Sequence, residues 1–416
     1  MDRADMSEAV APSPLISVSD ALVRILAAAQ GRAIVEEDIS IWDGDGRVLS
    51  AALHALHNQP AMTMSAMDGF ALRAGETVPG GMPLRVIGES AAGHPFKGQL
   101  GPGEAIRIFT GAALPDGADA VLIQENASLD NGLLSANGAV LPGQFVRRMG
   151  DDFRRGDLGL PAGERLDPRK LAFAAAMNHA TVRVSRRPRV GLLTTGDELV
   201  RPGPLAGPMQ TIASNAIGIA SELRRAGADI IDLGIAADTR KSILNAVNQA
   251  LALPVDLLVT IGGASVGKHD LVRPVLAERG ADLEFYRVAM RPGKPLNFGS
   301  LEGVLVLGLP GNPVSAMVCA RLFGTSLLRA LQGDRQAGSD ESELARLGKD
   351  LPANDLRQDY LRASLAQNDR GELVATPFDS QDSALSGVLA RAQALLIRPP
   401  YASAAKAGTV CSIIRI

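Results

Sequence analysis

Hydrophobic and polar residues follow different patterns in successive parts of the chain. Residues 19–30 place apolar side chains at helical spacing after Ser19, which predicts a capped amphipathic helix that ends at Gly31. From about residue 60 to residue 142, short apolar runs such as residues 84–87 are separated by glycine and proline. This second pattern predicts a small β-rich module.

Strand and helix patterns alternate regularly between residues 190 and 322. Strands are predicted at residues 190–194, 230–235, 257–261 and 304–307, and a helix follows each of them, at residues 215–226, 241–251, 271–279 and 313–322. Repeated strand–helix units predict a parallel sheet covered by helices on both faces. After a polar linker at residues 333–343, short apolar runs at residues 395–397 and 410–413 predict a small C-terminal β domain.

Length and charge narrow the possible functions. The chain has 416 residues, which at roughly 150 residues per domain indicates about three domains. Its 42 Lys and Arg residues and 45 Asp and Glu residues give a net charge of −3, so no overall field attracts it to nucleic acid or to an anionic membrane. Any anionic ligand must therefore be held by local groups.

The cysteines and the apolar runs bear on the cellular compartment of the protein. Cys319 and Cys411 are far apart and form no CxxC pair, so neither a disulfide framework nor a zinc site is indicated. Residues 1–14 lack the basic start and the apolar stretch of an export signal. No uninterrupted apolar run reaches the ~18 to 20 residues that cross a bilayer. We expect a cytoplasmic protein that is not integral to a membrane.

The residues that follow the predicted strands are rich in glycine and in acids. In an open parallel sheet, ligands bind beyond the carboxyl ends of the strands, where helix N-termini present backbone amides. Carboxylates beside glycine-rich loops suit a Mg²⁺-assisted reaction of a phosphate. Each acid alone could instead cap a helix or lie in an exposed loop. Together they are candidate Mg²⁺ ligands: Asp197, Glu198, Asp238 and Asp270.

The loop after residue 261 partly matches a P-loop. Gly262, four residues, Gly267 and Lys268 satisfy most of that pattern, but His269 stands where a P-loop has the Ser or Thr that binds Mg²⁺. We therefore expect a glycine loop that contacts a phosphate or a pterin without being a P-loop. Its candidate contacts are Gly262, Gly263, Ser265 and Gly267.

Two further segments favour anion binding. Arg287, Arg291 and Lys294 place three cations within eight residues and two prolines restrain the backbone, which suits an oxyanion, although a solvated basic loop has the same pattern. Residues 309–313 predict a strand-to-helix turn in which Asn312 caps the helix and Pro313 is its first residue. The free amides around Pro310 and Gly311 could hold an anion, or the turn could be purely structural.

Six motifs occur in one order on this chain. They are SAMDGFA at residues 65–71, IRIFTGA at 106–112, TGDEL at 195–199, the glycine loop at 262–267, MRPGKP at 290–295 and LPGNPVS at 309–315. Together they closely resemble the molybdopterin molybdenumtransferase family, the molybdenum-inserting enzymes whose eukaryotic relatives include the E domain of gephyrin. The likeness runs from about residue 17 to the C-terminus.

The resemblance implies a homodimer of elongated four-domain subunits in which both subunits build each active site. The implied fold class is multidomain α/β and β, with a central α/β domain whose parallel sheet is covered by helices. The implied domains are an elongated α+β dimerisation domain (residues 15–60 and 143–186), a small β-rich domain (61–142), the α/β molybdopterin-binding domain (187–332) and a C-terminal β domain (345–416).

The resemblance also implies a reaction in molybdenum cofactor biosynthesis. Such a transferase takes adenylylated molybdopterin and molybdate, cleaves the pyrophosphate with Mg²⁺, releases AMP and leaves molybdenum on the dithiolene. A molybdate oxygen can attack the phosphoanhydride, so no protein nucleophile is needed. Transient contacts with molybdopterin-synthesis proteins and with acceptor molybdoenzymes are expected as well, and none with nucleic acid.

Position by position, the resemblance assigns roles to individual residues. The catalytic positions are Asp68, Thr110, Glu198, Asp238 and Asp270. The substrate-binding positions include the glycine loop, the turn at Pro310, Gly311 and Asn312, and also Arg287, Arg291, Lys294, Ser315, Arg357 and Ser383. Arg287 and Arg291 stand where the family more often has lysines, which keeps the charge and changes the hydrogen-bond geometry.

Other functions share parts of this pattern. The adenylyltransferase of the same pathway resembles the α/β domain, but such proteins are usually a single domain. A non-catalytic scaffold like gephyrin would dimerise yet lack the acidic residues at the strand ends. A P-loop kinase is the most distant alternative.

Overall fold

The computed structural model describes residues 15–78, 81–203, 205–263 and 271–416. The helices of this part of the chain are α1 (Val18–Ala29), α2 (Pro168–Ala176), α3 (Ser214–Arg225), α4 (Arg240–Leu251), α5 (Val272–Glu278), α6 (Pro313–Cys319), α7 (Thr325–Leu331) and α8 (Ser386–Arg391). Its strands are β1 (Glu36–Ser40), β2 (Leu53–His54), β3 (Met64–Ser65), β4 (Gly69–Leu72), β5 (Leu84–Ser90), β6 (Glu104–Ile108), β7 (Ala120–Ile123), β8 (Ala127–Asp130), β9 (Leu133–Ala136), β10 (Val146–Arg147), β11 (Leu158–Leu160), β12 (Thr181–Ser185), β13 (Arg189–Thr195), β14 (Leu199–Val200), β15 (Thr211–Ile212), β16 (Asp229–Ala236), β17 (Leu257–Ile261), β18 (Asp282–Phe285), β19 (Met290–Arg291), β20 (Asn297–Leu301), β21 (Val304–Leu309), β22 (Glu343–Leu347), β23 (Gln358–Gln367), β24 (Leu373–Pro377), β25 (Ala394–Arg398) and β26 (Val410–Arg415).

Residues 38–184 form one compact unit, and the remainder of the chain forms another. Within the first unit, six strands make a sheet in the order β7-β4-β6-β5-β9-β8, with buried Phe70, Leu72 and Leu122 in its core. This sheet confirms the predicted β-rich module. A separate core beneath α2 joins the short paired strands β2 and β11 of the same unit.

The α/β domain of the second unit is built on a six-stranded sheet of order β16-β13-β17-β21-β20-β18. The first four strands are parallel, as predicted, but β20 and β18 are antiparallel to their neighbours. The sheet is therefore mixed. The cause is the tight turn at Glu302 and Gly303, whose positive φ angles of 49° and 83° return the chain as a hairpin without a crossover helix.

Helices cover both faces of this sheet, which confirms the prediction. On one face, α1, α3, α6 and α7 bury apolar residues such as Ile25, Leu223 and Leu327 against the sheet. On the other face, α4 and α5 bury residues such as Val247 and Leu276. Each helix contributes one apolar stripe, because its buried residues recur three to four positions apart.

Helix α1 differs from the prediction in two details. Its N-cap is Ser17, whose side chain accepts the backbone N–H of Asp20 at 2.9 Å, so Ser19 lies within the first turn. The helix also packs into the core of the α/β domain through its buried residues Ala21 and Ile25, whereas the predicted boundaries place it in the elongated domain. The four-domain division as a whole stays a prediction.

The residues from Pro313 to Leu331 form one long apolar helical stretch. It comprises α6, a π-helical segment (Ala320–Gly324) and α7, and its length and composition would allow it to cross a membrane. However, 61% of its most apolar window is buried inside the protein, where Phe323 and Leu327 belong to the α/β core. The burial is typical of a core helix.

The C-terminal strands confirm the predicted β domain. Strand β23 pairs with β24 and β25, and β22 and β26 complete a closed ring in the order β23-β24-β22-β26-β25. Closure removes the exposed strand edges of this small barrel. Strand β19, which leaves the α/β domain, pairs in parallel with β23 and links the two domains.

Candidate active site

A cleft of 590 Å³ opens at the carboxyl ends of the parallel strands. Its walls come from the segments that follow β13, β16, β17 and β21, together with the first residues of α3. Predicted site residues that line it are Glu198, Asp238, Gly262, Gly263, Pro310, Gly311, Asn312 and Ser315. Loops more than one hundred residues apart thus meet at one edge of the sheet, as the strand–helix pattern predicted.

Two acids face this cleft, and a third connects their loops. Glu198 and Asp238 both line the cleft. The carboxylate of Asp197 instead accepts the backbone N–H of Asp238 at 2.9 Å, which fixes the segment after β13 to the segment after β16. Asp270, the remaining predicted acid, lies outside the described residues.

The glycine turn after β17 approaches the neighbouring strands closely. Gly262 donates its N–H to the carbonyl of Leu309 at 3.1 Å, and its φ is 90°. A Cβ at this position would lie 2.8 Å from the carbonyl oxygen of Thr195, so both space and backbone conformation require glycine. The predicted loop contacts Ser265 and Gly267 lie outside the described residues.

The turn before α6 joins three parts of the second unit. Asn215 on α3 donates through Nδ2 to the carbonyl of Gly311 at 2.7 Å. Asn312 donates through Nδ2 to Oγ of Ser383 at 3.1 Å, and Val314 donates its N–H to the carbonyl of Ser383 at 3.0 Å. Ser383 therefore contacts Asn312, which lines the cleft, and its substrate-binding role stays a prediction.

The predicted cap of α6 was wrong in one respect. Asn312 occupies the N-cap position, but its side chain makes no capping hydrogen bond because it reaches to Ser383 instead. Pro313 is the first helical residue, as predicted. Helix α3 also begins without a side-chain cap, at Ala213, and its first residues line the cleft. The first-turn amides of α3 can donate to an anion in the cleft, whereas at the start of α6 Pro313 has no N–H and the N–H of Val314 is already bonded to Ser383.

The three predicted cations have different surroundings. Arg291 donates through Nε and Nη2 to the carboxylate of Asp359, at 2.8 and 2.5 Å, and this pairing raises the pKa of the guanidinium. Its charge is thus already matched by the β23 carboxylate. Lys294 is exposed and adjoins Pro295, which lines the cleft. Arg287 is half-buried, and its carbonyl accepts the N–H of Ile16.

Two arginines of the C-terminal domain, the predicted Arg357 and Arg362, have different surroundings. Arg357 donates through Nη2 to Asp355 at 2.7 Å, which lowers the pKa of that carboxyl to about 2. Arg362 is only 1% exposed, and its Nε and Nη2 have no hydrogen-bond partner among the described residues. Burial lowers the pKa of its guanidinium, and nearby Asp382 acts in the opposite direction.

Arg362 also lies next to the segment that borders the cleft. Its backbone N–H and carbonyl bond to the side chain of Gln381, two residues before Ser383. A buried guanidinium with free N–H groups is rare in a folded protein without a ligand. The burial of Arg362 could not be predicted, because the strand pattern YLRAS does not distinguish a buried arginine from an exposed one.

Asp68 and Thr110 meet in the unit of residues 38–184. The backbone N–H and the hydroxyl of Thr110 both donate to Oδ1 of Asp68, each at 2.7 Å, and these bonds hold the pKa of the carboxyl below its usual value. Arg107 contributes a smaller lowering of that pKa. Its guanidinium lies 4.9 Å from the ring centroid of Phe70 and 5.2 Å from that of Phe109.

The donor set of the cleft fits an ion that is shared with a phosphate ligand. Among the described residues, no group of three or more His, Cys, Asp or Glu side chains could by itself hold a metal ion. Glu198 and Asp238 nevertheless face one cleft beside backbone amides. Mg²⁺ is commonly held by one or two carboxylates and completed by substrate phosphates and water. The described donors match that arrangement.

Comparison with protein families gives matches along almost the whole chain. The family described as MoeA N-terminal region (domain I and II) matches residues 16–178, and that described as probable molybdopterin binding domain matches residues 191–330. The MoeA C-terminal region (domain IV) matches residues 344–416.

Individual proteins are similar over the same length. The molybdopterin molybdenumtransferase of Haemophilus influenzae is 32% identical, with 91% of this chain and 93% of that protein covered. The enzyme of the same name from Bacillus subtilis is 33% identical, with 91% and 90% covered. The crystal structure of the molybdopterin biosynthesis MoeA protein from Pyrococcus horikosii has a TM-score of 0.78 at 28% identity and covers 97% of this chain and 99% of its own.

Proposed function

This chain belongs to the MoeA family of molybdopterin molybdenumtransferases, and we propose that it inserts molybdenum from molybdate into adenylylated molybdopterin and releases AMP. The observation that carries this proposal is the cleft at the strand ends. There, Glu198 and Asp238 line the same cleft as the glycine turn and the turn before α6. Carboxylates and backbone amides in one cleft are what a phosphoanhydride and its cation require.

Within this cleft, the residues of the chain bind and orient the phosphates. Backbone amides at the start of α3 would donate to phosphate oxygens, and Gly262 lets the backbone approach closely. Glu198 and Asp238 would hold Mg²⁺, which when bound polarises the phosphoanhydride. Asp197 keeps the Asp238 loop in position through its hydrogen bond.

The oxyanion substrate, molybdate, requires cationic donors. We place it near Ser383, where the buried Arg362 has two guanidinium nitrogens without a partner among the described residues and Lys294 has an exposed charge. A molybdate oxygen forms the new bond to the phosphorus on the molybdopterin side as the anhydride bond breaks, and AMP leaves with the bridging oxygen. The dithiolene sulfurs then bind molybdenum and displace the phosphate from it, so the protein supplies no nucleophile. The cations offset the charge that gathers on the phosphates and on molybdate.

The wider assignments are also part of the proposal. We infer a homodimer located in the cytoplasm, in which Asp68 and Thr110 act on the substrate, with transient contacts to molybdopterin-synthesis proteins and acceptor molybdoenzymes. The support for Asp68 is that two hydrogen bonds from Thr110 lower the pKa of its carboxyl and fix its orientation. The support for a reducing compartment is that both cysteines are free thiols.

A direct assay tests the proposed reaction. The purified full-length chain is mixed with adenylylated molybdopterin, Mg²⁺ and molybdate, and AMP is measured by chromatography. We expect AMP release that depends on both molybdate and Mg²⁺, and no adenylylation of molybdopterin when ATP replaces the adenylylated substrate. AMP release no faster than in a protein-free control would reject the proposal, and ATP-dependent adenylylation would assign the chain to the preceding step.

A further inference from the structure

Three polar side chains are buried beneath the cleft without hydrogen-bond partners. Thr260 is 0% exposed, Asn297 is 1% exposed and Thr195 is 6% exposed. Both threonine hydroxyls and both amide atoms of Asn297 lack any hydrogen-bond partner among the described residues. Unpaired buried polar groups are costly and uncommon, so four such atoms in one domain require an explanation.

These side chains lie on one face of the sheet. Thr260 on β17 is in register with Gly308 on β21, and Gly308 is in register with Asn297 on β20. Two residues before Thr260, the side chain of Leu258 belongs to the core beneath α4 and α5, and alternate residues of a strand share a face. Thr260 and Asn297 therefore flank Gly308 on the α4–α5 side.

Thr195 connects this polar layer to the glycine turn. It ends β13, and its hydroxyl would lie 3.1 Å from a Cβ on Gly262 and 3.4 Å from one on Gly263. Thr195 is also among the residues that line the cleft. The layer thus extends from the interior of the sheet to the underside of the turn that we assign to phosphate binding.

The space over Gly308 is bounded by polar atoms. A Cβ on Gly308 would lie 3.0 Å from Nδ2 of Asn297 and 3.3 Å from Oγ1 of Thr260. The Cβ of Asn297 would also lie 3.0 Å away, so a methyl group would be crowded here, and a guest bonded to both polar groups must lie farther from Gly308 than a Cβ would. The guest must accept a hydrogen bond from the amide N–H as well as donate to oxygen atoms, which a water molecule does and a cation does not.

We propose that Thr195, Thr260 and Asn297 form an internal hydration site whose ordered water supports the Gly262–Gly263 turn, with Asn297 as a positioning residue. The water bridges Thr260 on β17 and Asn297 on β20 across Gly308. Thr195 lies between this layer and the turn and packs against the turn. The effect on ligand binding rests on the proposed function, because it assumes that the turn contacts phosphate. The hydration site itself does not depend on that assumption.

Substitution by apolar residues of similar shape tests the site through the sign of the stability change. If water satisfies the layer, Thr260→Val and Asn297→Leu remove its partners, so Tm of the full-length chain falls by several degrees and amides of β17, β20 and β21 exchange faster. If the groups are truly unpaired, the same replacements relieve a penalty and Tm rises. A rise in Tm in both variants would overturn the proposal.

Two controls separate this effect from general consequences of substitution. Thr260→Ser loses a methyl group but keeps the hydroxyl. Its Tm should therefore fall less than that of Thr260→Val. Thr325→Val changes a buried threonine whose hydroxyl already bonds to the carbonyl of Arg321 within its own helix, so its hydrogen exchange in β17 should match wild type. Equal effects of Thr260→Val and Thr325→Val on β17 would contradict a local site.

Direct observation completes the test. A high-resolution crystal structure of the wild-type chain should show a water peak within hydrogen-bond distance of both Asn297 and Thr260, and its absence would overturn the proposal. Binding of AMP as a probe should weaken several-fold in Asn297→Leu while wild-type affinity persists in Thr325→Val. If the enzyme assay fails but the water is present, only the proposed function is rejected, because the density and stability tests use no substrate.

Discussion

Thr110 donates both its backbone N–H and its hydroxyl to a single carboxylate oxygen of Asp68. Hydrogen bonds to the charged form favour it, so the folded-state pKa of Asp68 is depressed. A depressed pKa means that the stabilisation from these bonds is present at neutral pH and is lost as pH falls through the folded-state pKa. Asp68 is accordingly an ionised acceptor at neutral pH.

Removing one of these donors should change the pH dependence of the reaction. Thr110→Val deletes the hydroxyl bond and keeps the backbone bond, so the pKa of Asp68 should rise towards its usual value. We expect the acid limb of AMP release to move to higher pH in Thr110→Val, while Thr110→Ser, which keeps the hydroxyl, follows wild type. Identical acid limbs in all three proteins would show that ionisation of Asp68 does not govern turnover.

Arg362 and Arg357 should respond differently to the same replacement. Arg362→Met removes a buried cation with unpaired N–H groups, so stability should be unchanged or increased while the KM for molybdate rises roughly 10- to 100-fold. Arg357→Met is the matched control, because that arginine is already paired with Asp355. A larger rise in KM for Arg357→Met would indicate that Arg357, as predicted from the sequence, binds molybdate, and would contradict this role for Arg362.

Arg291 should matter more for stability than for substrate affinity. Arg291→Met leaves the buried carboxylate of Asp359 unpaired and should lower the free energy of unfolding by about 1–3 kcal/mol, because Arg291 itself is half exposed. The double variant Arg291→Met, Asp359→Leu should recover much of this loss in denaturant unfolding. A raised KM for molybdate at wild-type stability would instead indicate direct substrate contact.

The neighbouring glycines Gly262 and Gly311, which both line the cleft, should tolerate alanine unequally. In Gly262→Ala, the new Cβ meets the Thr195 carbonyl at positive φ, so we expect a loss of about 1–3 kcal/mol in stability together with weaker AMP binding. Gly311 has no positive φ, and a Cβ there meets only Gly262 at 3.7 Å. The free energy of unfolding of Gly311→Ala should therefore be within about 0.5 kcal/mol of the wild-type value. Equal losses would contradict the close-approach argument.

The regular parts of the fold were accessible from sequence because they repeat. Alternating strand and helix patterns predicted the α/β domain and therefore the edge at which Glu198 and Asp238 meet. The antiparallel strands β20 and β18 were missed, since an apolar strand after a hairpin has the same pattern as one after a crossover helix. The N-cap of α1 was predicted at Ser19 but is Ser17, because both residues are serines and only the backbone conformation distinguishes them.

The pairing of charges was not accessible, because it depends on contacts between distant segments. The sequence shows Arg291 and Asp359 only as charged residues 68 positions apart. In the structure their ion pair connects the α/β domain to the C-terminal domain. The burial of a charged side chain is equally hard to predict from the sequence. Arg362 lies five residues from Arg357, and only the three-dimensional packing distinguishes the fully buried guanidinium of Arg362 from the half-buried one of Arg357.

Single-turnover release of AMP by Glu198→Gln and Asp238→Asn tests most directly whether the cleft at the strand ends is the reaction site. Each variant removes one negative charge and keeps the shape of the side chain, and Glu302→Gln, outside the cleft, serves as the control. The account predicts that both cleft variants remain folded and release AMP slower by on the order of 10²-fold or more, while the control matches wild type. Release at the wild-type rate by both cleft variants would contradict it.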